Sequence, residues 1–393
     1  MPGPLDGVRI LDFTRFQQGP SATVMLSDLG ADVLKVEQPG DGDMGRRLGL
    51  EPDGWCSYFE AHNRNKRSMT LNMKAPGALA IVQQLIPDID VVVDNFRPGV
   101  MGRLGLDLES LRAFNAKIIT ASGTGFGEQG ALAEEPSFDI IGMGMSGIMY
   151  SQGGGPDRPP RTVQPGIADQ VGGMCLALGI VSAIVARDHQ GVGQHVESSL
   201  LGSQIALQTA YYTNFLRHGV QGPSPQRALP VFSYFRCADD RYLTIGILDP
   251  RWYTALCEVL RRPDLATDAR FAEPQARQEH REALLGELDD AFGRRGRAEW
   301  IERLRAAGVP VGPVHDYAAA VEDPQVLANG YVTTLEHPSL GEVGVAGTPI
   351  TMSEMPTGPK STAPELGQHT EEVLLGLGYD WEAIARLQDA GAI

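Results

Sequence analysis

The sequence predicts an α/β protein whose first domain is a doubly wound, Rossmann-like parallel sheet and whose second, smaller domain is α+β. Short β-branched runs alternate with helical segments through the first 200 residues, which is typical of a parallel sheet with crossover helices. Beyond that point charged helices follow two short strands, which indicates a separate domain. The length of 393 residues agrees, since about 150 residues per domain suggests two or three domains.

The opening unit is a strand, a helix and a second strand. Residues 8–13 are a β-branched and aliphatic run that predicts the first strand. A helix is predicted over residues 21–29, with Ser21 as its cap and Gly30 as its stop. The run at residues 31–36 predicts the second strand. This order is the start of a doubly wound sheet, which binds ligands at the carboxyl ends of its strands.

The same alternation continues along the chain. Further strands are predicted at residues 68–72, 91–93, 117–121 and 195–197, and further helices at 76–86, 108–114, 170–186 and 203–216. The helix at 170–186 is apolar on every side, which predicts that it is buried. After a change of character at residues 222–225, strands are predicted at 234–237 and 242–246, and helices at 252–261, 280–292, 298–307, 370–377 and 381–388.

Composition limits the partners and the compartment. With 33 Lys and Arg against 49 Asp and Glu, the net charge of −16 repels nucleic acid and anionic membranes. Four cysteines without a C-x-x-C pair predict free thiols rather than a disulfide framework. The N-terminus has no signal-peptide pattern, and the apolar stretch at 174–186 is shorter than the roughly 20 residues that span a bilayer. A cytoplasmic protein with neither a nucleic-acid nor a membrane partner is expected.

Several common chemistries lack their motifs. The turn after the first strand has no G-x-G-x-x-G, so NAD or FAD binding is disfavoured; Glu37 could be a ribose-binding acid or a solvated strand end. No G-x-S-x-G elbow supports a serine hydrolase. The eight histidines include no H-x-x-x-H pair, so no metal site is expected. The glycine-rich run at 123–127 could be only a turn.

Asp169 is the sharpest candidate for chemistry. It immediately precedes the apolar helix, which is the N-cap position, and an aspartate there most often only caps. The same position suits a nucleophile, because the helix dipole favours the ionised carboxylate. Gly172 and Gly173 have no side chains, so a substrate could approach the backbone closely.

Motifs spread over nearly the whole chain resemble those of the class III CoA transferases, also called the CaiB/BaiF family. They are GPLDGVRILD at 3–12, GP at 19–20, LGADVLKVE at 29–37, NRNKRS at 63–68, DNFRPG at 94–99, SGTGFGEQG at 122–130, DIIGMGMSGIM at 139–149, GVGQHVESSL at 191–200 and APELGQHT at 363–370. The resemblance implies an interlocked homodimer of open-ring chains. Residues 1–224 and 324–393 would form the large Rossmann-like domain, and residues 225–323 the small one.

The resemblance also implies a reaction and a set of site residues. Asp169 would attack an acyl-CoA thioester, giving a mixed anhydride and then an aspartyl-CoA thioester, which the acceptor carboxylate attacks. CoA would be a substrate, and no tightly bound cofactor is implied. The residues at positions similar to the family's CoA contacts are Gln17, Leu71, Asn95, Phe96 and Arg103.

Two further features bear on the phosphates and the acyl group of the substrate. Arg64, Lys66 and Arg67 would supply phosphate charge, or would lie in a solvated turn. Many relatives have Arg where this chain has Gln38, which weakens any phosphate contact there. The glycine run of formyl-CoA:oxalate enzymes is missing at residues 245–250. Oxalate and formate are therefore not predicted, and a larger acyl group is suited.

Two alternatives stay open. The α-methylacyl-CoA racemases share this fold but place a proton-transferring His directly before an Asp, where this chain has Phe138 before Asp139. Phenylalanine cannot exchange a proton, which favours the transferase, although another histidine could replace it in space. A non-catalytic CoA-binding protein is the other alternative, and the presence of Asp169 disfavours it.

Overall fold

The computed structural model describes residues 1–219 and 226–393, which form an α/β fold with one parallel sheet and two small antiparallel sheets. The strands are β1 (Arg9–Asp12), β2 (Asp32–Glu37), β3 (Arg67–Thr70), β4 (Val91–Asp94), β5 (Ile119–Thr124), β6 (His195–Ser199), β7 (Phe232–Arg236), β8 (Tyr242–Gly246), β9 (Val311–Pro313), β10 (Val332–His337) and β11 (Gly341–Ala346).

The helices follow the strands in the predicted alternation, with several that the sequence pattern did not indicate. They are α1 (Gln18–Asp28), α2 (Ser57–Asn63), α3 (Ala78–Leu85), α4 (Val100–Arg103), α5 (Leu108–Arg112), α6 (Asp139–Met145), α7 (Ile148–Gly153), α8 (Ile167–Gln190), α9 (Leu200–Leu207), α10 (Thr209–His218), α11 (Pro250–Val259), α12 (Pro263–Thr267), α13 (Pro274–Glu279), α14 (Arg281–Phe292), α15 (Arg297–Ala306), α16 (Tyr317–Val321), α17 (Pro324–Ala328), α18 (Thr370–Gly376) and α19 (Trp381–Asp389). Short 3₁₀ helices lie at Met44–Arg47 and Ile86–Asp88.

The large sheet is parallel throughout, with the strand order β3-β2-β1-β4-β5-β6. Strand β1 pairs with β2 on one side, with Leu11 opposite Leu34, and with β4 on the other, with Leu11 opposite Val92. The order therefore reverses between β1 and β4. In doubly wound sheets the carboxyl ends of the strands at this reversal form the ligand crevice.

Both faces of the sheet are covered, because its central strands are apolar on both sides. On one face Ile10 and Val91 pack with Leu176 and Ile180 of α8. On the other face the core includes the side chains Leu11, Leu34, Val92, Ile81 and Leu374. The two helices after β1 and before β6, α1 and α8, thus share one side of the sheet and bring their N-termini to its carboxyl edge.

The described residues divide into two compact units. The larger contains those of Met1–Met149, Arg161–Val220 and Gln325–Ile393, and the smaller contains those of Tyr150–Pro160 and Gln221–Pro324. In the smaller unit the sheet β7-β8-β9 carries a core that includes Phe235, Leu243 and Phe292. The predicted domain limits stay a prediction, and the change of character at 222–225 lies outside the described residues.

Several predicted helix limits were wrong in ways that matter for function. Helix α8 begins at Ile167 with Gly166 as its N-cap, so Asp169 is its third residue and does not cap it. Ser21 lies inside α1, which begins at Gln18. The helix predicted over 203–216 is two helices, because the backbone at Gln208 departs from helical geometry between α9 and α10.

Helix α8 is not fully buried, which corrects the prediction from its composition. Its Met174, Leu178 and Val185 are exposed, whereas Leu176, Ile180 and Ile184 pack inward. Among the described residues this 24-residue helix is the one long and apolar enough to cross a membrane by length and composition, a test that core helices of soluble proteins also pass.

Candidate active site

Asp169 lies in the first turn of α8, at the carboxyl edge of the sheet. The N-cap residue Gly166 has a left-handed backbone, with φ 54° and ψ 48°, and no side chain to cap the helix. Asp139, the first residue of α6, supplies the missing acceptor. Its Oδ1 accepts hydrogen bonds from the backbone N–H of Ala168 at 2.7 Å and of Asp169 at 3.1 Å. The two carboxylates are thereby held side by side.

The pKa of Asp169 is raised to about 7. Burial is the largest cause, the neighbouring charge of Asp139 adds to it, and the backbone N–H of Gln18 opposes it. Desolvation and a like charge therefore oppose the stabilisation of the ionised form that the N-terminus of α8 was expected to give. The carboxyl group is balanced between its two protonation states near neutral pH.

The glycines that follow Asp169 serve packing and not substrate approach. A Cβ on Gly172 would lie 2.9 Å from Nε2 of Gln18, and a Cβ on Gly173 would lie 2.7 Å from the carbonyl oxygen of the same residue. Helix α1 occupies the space that was expected to be open. These glycines let the backbones of α1 and α8 approach closely.

Gln17, which the resemblance implies to be a CoA contact, lies at the N-terminus of α8. Its side chain lies against Gly166, where a Cβ would be 2.6 Å from Nε2 of Gln17. The hydroxyl of Tyr58, on α2, donates to Oε1 of Gln17 at 3.5 Å. Burial, followed by the charges of Asp169, Asp43 and Asp139, raises the pKa of Tyr58, so this hydroxyl keeps its proton.

His62, which the sequence analysis did not single out, lies beside Gln170, the residue after Asp169. Nδ1 of His62 donates to the carbonyl of Tyr58 at 2.7 Å, because a carbonyl oxygen can only accept. Nε2 of His62 then accepts from the Nε2 amide group of Gln170, at 3.1 Å. Burial is the largest cause that lowers the pKa of His62 to about 4, so the ring is neutral at physiological pH.

The remaining predicted CoA contacts lie along the carboxyl edge, with different degrees of access. Asn95 follows β4, and its side chain accepts from the backbone N–H of Arg15 at 2.8 Å and donates to the Arg15 carbonyl at 2.7 Å. The guanidinium of Arg15 lies 5.2 Å from the centre of the Phe96 ring. Leu71 is 2% exposed, and its backbone N–H donates to the Glu37 carbonyl at 2.7 Å, so in this structure neither its side chain nor its N–H is open to a ligand. Arg103 is exposed at the end of α4.

A cavity of about 380 Å³ opens on the side of Phe96 that faces β5. Asp94 and Ser122 line it, and the Ser122 hydroxyl donates to Asp94 at 2.7 Å. Burial raises the pKa of Asp94 to about 6, although hydrogen bonds from Ser122 and from the Phe96 backbone oppose the rise. The cavity adds space beside the aromatic ring that was expected to hold a base.

The basic run at residues 64–67 does not offer its charges to a ligand. Arg64 pairs with Asp28 at 2.6 Å, and the buried Lys66 pairs with Asp12 at 3.0 Å. Arg67 lies on β3 and pairs with acidic side chains of neighbouring elements. The prediction that these cations could bind phosphate was wrong, and so was the alternative of a solvated turn, because the run packs against α1 and β2.

Other cations at the carboxyl edge are free to meet phosphates. Among residues 1–219 and 226–393, no ion pair involves the exposed side chains Arg15, Lys74, Arg97 and Arg103. Glu37 is likewise not a ribose-binding acid or a solvated strand end. It is buried and paired with Arg46 at 2.7 Å.

Sequence reasoning singled out Asp169 as the nucleophile and Gln17 as a CoA contact, and it missed part of the surroundings of Asp169. Tyr58 and His62 lie in a segment for which no element was predicted, and Gln170 was considered only as the start of the apolar helix. Asp139 was considered only as the neighbour of Phe138, and its capping of a helix 30 residues later could not be read from spacing. Phe138 itself is exposed and packs edge-on against Phe16, with ring centres 6.2 Å apart.

Comparison with known proteins agrees with this arrangement. A family model described as CoA-transferase family III matches residues 5–370. An acetyl-CoA:oxalate CoA-transferase of Acetobacter aceti is 37% identical over 91% of this chain and 93% of its own length, and a succinyl-CoA:glutarate CoA-transferase of Mus musculus is 34% identical over 99% and 90%.

Solved structures agree as well. A CaiB/BaiF family protein from Brucella suis superposes with a TM-score of 0.85, with 32% identity over 96% of this chain and all of that one. The resemblance drawn from the motifs is confirmed: the chain belongs to CoA-transferase family III.

Proposed function

We propose that this chain is an acyl-CoA:carboxylate CoA-transferase whose nucleophile is the carboxylate of Asp169. The observation that carries the proposal is a half-buried carboxyl group with a pKa raised to about 7, facing the backbone N–H of Gln18 at the carboxyl edge of the sheet. A carboxylate is ordinarily a weak nucleophile. A raised pKa makes it more basic, and positioning can supply roughly 7–11 kcal/mol of the barrier.

Four displacements complete the transfer without loss of atoms. The Asp169 carboxylate attacks the thioester carbonyl and expels CoA thiolate, which leaves a mixed anhydride. The thiolate attacks the aspartyl carbonyl, releases the donor acid and forms an aspartyl-CoA thioester. The acceptor carboxylate attacks that carbonyl and expels the thiolate again. Finally the thiolate attacks the acceptor's carbonyl in the second anhydride, which releases the new acyl-CoA and restores the carboxylate.

Neighbouring groups are suited to these steps. The amide of Gln17 and the hydroxyl of Tyr58 are hydrogen-bond donors beside the N-terminus of α8 and would stabilise oxygen charge as it develops. Asp139 raises the proton affinity of the nucleophile and holds the turn that carries it. Each acts on Asp169 from a different element.

The nucleotide part of CoA is proposed to lie along β1, β3 and β4. The exposed cations Lys74, Arg97 and Arg103 would pair with its phosphates, and Phe96 would stack on its adenine. From there the pantetheine arm would lead past Asn95 and Arg15, which are hydrogen-bonded together, to Gln17. The overall charge of −16 makes this local group of cations necessary for binding a polyanion.

A homodimer, interlocked as in the family, is part of the same proposal. The outer side of α8 exposes Leu178 to 69%, and α10 exposes Tyr211 and Leu216. Large apolar side chains gathered on neighbouring helices are typical of a surface that another chain covers. A second copy would complete the burial that the composition of α8 requires.

Racemisation is the second candidate, and one observation keeps it in consideration. His62 lies beside Gln170, the residue after the nucleophile, so a histidine other than one at position 138 does lie near the site. Its proton on Nδ1 is held by the Tyr58 carbonyl and its Nε2 lone pair by Gln170, which leaves no free nitrogen for a substrate. The transferase is therefore favoured.

One experiment separates the candidates. Purified protein is incubated with acetyl-CoA, succinyl-CoA or a 2-methylacyl-CoA and with oxalate, glutarate or larger acids, in D₂O, and the products and the protein are followed by mass spectrometry. We expect exchange of CoA between acids and a hydroxylamine-sensitive adduct on Asp169. Incorporation of deuterium at the α-carbon without an adduct would indicate a racemase. Binding of CoA with neither outcome would leave a binding protein.

A further inference from the structure

The loop Thr14–Gln18, between β1 and α1, is anchored at successive peptides by side chains of other elements, of which Lys35 and Asp43 are buried and Asn95 is half-buried. Nζ of Lys35 donates to the Thr14 carbonyl at 2.7 Å. Asn95 binds both sides of the Arg15 peptide. The backbone N–H of Phe16 donates to Oδ1 of Asp43 at 3.1 Å. Such complete anchoring is unusual for a loop, and it fixes the main chain just before Gln17.

Asp43, in the segment after β2, is a buried charged anchor of this loop. Its side chain is 1% exposed, and its Oδ2 lies 2.9 Å from Nζ of the fully buried Lys35. Its Oδ1 also accepts from the backbone N–H of Gly45, at 2.9 Å. Its own N–H donates to Glu37 at 3.0 Å. The carboxylate therefore presents one oxygen to a cation and the other to two amides.

The amide that Asp43 holds belongs to a residue with an uncommon backbone. Phe16 has φ 62°, in the left-handed region that residues other than glycine, asparagine and aspartate seldom adopt. The next two residues lie beside the first turn of α8: Gln17 packs against Gly166, and the Gln18 N–H faces Asp169. A return of Phe16 to negative φ would redirect both.

We propose that Asp43, fixed by its ion pair with Lys35, is a positioning residue that holds Phe16 left-handed and so aims Gln17 and the Gln18 N–H at Asp169. This inference rests on the proposed role of Asp169 as the nucleophile. It gives the segment after β2 a role in the reaction although that segment does not contact the substrate. Asp43 acts only through the main chain of the Thr14–Gln18 loop.

The test uses Asp43→Asn in the full chain. An asparagine has one acceptor oxygen, so it cannot face Lys35 and the two amides with acceptors at once. We expect the rate of acyl adduct formation on Asp169, in a single turnover with acetyl-CoA or whichever donor is active, to fall about 100-fold. The affinity for 3′-phospho-ADP, the nucleotide part of CoA, should stay within about threefold, because Lys74, Arg97 and Arg103 lie outside the Thr14–Gln18 loop.

Rescue by glycine distinguishes positioning from general damage. Phe16→Gly and Phe16→Ala both remove the ring, but only glycine adopts positive φ without cost. With Asp43 intact, the two variants should form the adduct at similar rates. In the Asp43→Asn background, the Phe16→Gly variant should be about tenfold faster than the Phe16→Ala variant. Equal rates in that background, or a wild-type rate for Asp43→Asn alone, would overturn the inference.

Failures of the two proposals are distinguishable. If the wild-type protein forms no adduct on Asp169, the proposed function fails and this inference fails with it. If the wild type forms the adduct and Asp43→Asn forms it equally fast, the role of Asp43 alone is refuted. Should Asp43→Asn fail to fold, hydrogen exchange at the Phe16 amide of the wild type decides. Protection of at least about 100-fold is expected, and exchange at the rate of an unstructured peptide would refute the role.

Discussion

The Asp139 carboxylate accepts a hydrogen bond from the backbone N–H of Asp169 at 3.1 Å and also raises the pKa of the Asp169 side chain. The same group thus caps the helix that carries Asp169 and makes the Asp169 carboxylate more basic. Capping requires only an acceptor oxygen, whereas the electrostatic effect requires the charge. An amide at position 139 therefore separates the two roles.

The pH dependence of the reaction should reveal this relationship. Because the attacking form of Asp169 is the carboxylate and its pKa is about 7, kcat/KM for the acyl-CoA donor should rise with pH through about 7. Asp139→Asn keeps the acceptor and removes the charge, so the rise should move to lower pH. The control is Asp139→Ala, which also loses the cap and should lower the free energy of unfolding by about 1 kcal/mol. An unchanged midpoint in Asp139→Asn would contradict the assignment.

Removal of the nucleophile should abolish transfer and spare binding. Asp169→Asn and Asp169→Ala should lower CoA exchange by at least about 10⁴-fold, since both variants lack the carboxylate that attacks in the proposed mechanism. The Kd for CoA should change less than about threefold, measured by calorimetry. Intact-mass analysis must exclude deamidation of the asparagine variant. Turnover that survived in both variants would place the chemistry elsewhere.

The exposed cations predict a matched pair of variants for phosphate binding. Arg103 is exposed and makes no ion pair with the described residues, whereas Arg67 is bound to Asp32 and Glu372. Arg103→Ala should raise the Kd for CoA about tenfold, or ~1.4 kcal/mol, and less at high salt. Arg67→Ala should leave the Kd unchanged. A Kd that rises equally in both variants would indicate a general loss of positive charge.

Glu60 predicts a pH-dependent contribution to stability. It is buried, and both of its oxygens accept from the backbone N–H of Ala363, at 3.0 and 2.9 Å. Burial raises its pKa from 4.5 to about 7. A group whose pKa is higher in the folded state contributes stability that is present below pH 4.5 and is lost as pH rises through about 7.

Glu60→Gln keeps an acceptor for Ala363 and does not titrate. The free energy of unfolding of the wild type, minus that of Glu60→Gln, should therefore fall between pH 4 and 8, by roughly 3 kcal/mol at most. Urea denaturation across this range measures the difference. Glu51→Gln, at an exposed position, is the control and should show no such trend. A flat difference for Glu60→Gln would show that its carboxyl is ionised in the fold.

Local patterns predicted the fold well where periodicity was strong. The strands around Leu11 and Val92 and the helix at Leu176 were recognisable from the sequence. An apolar run between two turns can form few structures other than a buried strand or a buried helix. The position of Asp169 was misjudged by three residues, because Gly166 ends the preceding turn and Asp139 provides the cap from another helix. A hydrogen bond between residues about 30 positions apart, such as Asp139 and Asp169, produces no regular spacing in the sequence from which it could be predicted.

The surroundings of the nucleophile were less predictable for the same reason. The basic run at 64–67 was expected to be available, yet Lys66 is neutralised by Asp12 beneath α1. The Lys35–Asp43 pair was not anticipated, because it depends on how the segment after β2 returns to the loop after β1. Whether a charged residue binds a ligand or pairs with another residue of the chain depends on the tertiary fold and cannot be read from the sequence.

The contact of α1 with α8 through Gly172 and Gly173 has a consequence for how this protein can diversify. At Gly173 the main chain of α8 lies against that of α1, since an added Cβ would be 2.7 Å from the Gln18 carbonyl oxygen, so the position of the first turn of α8 depends little on how side chains repack. Residues that shape the acyl group's environment can then vary while the Asp169 carboxylate keeps its place. If the proposed nucleophile is held by such a joint, one scaffold can serve many different acids.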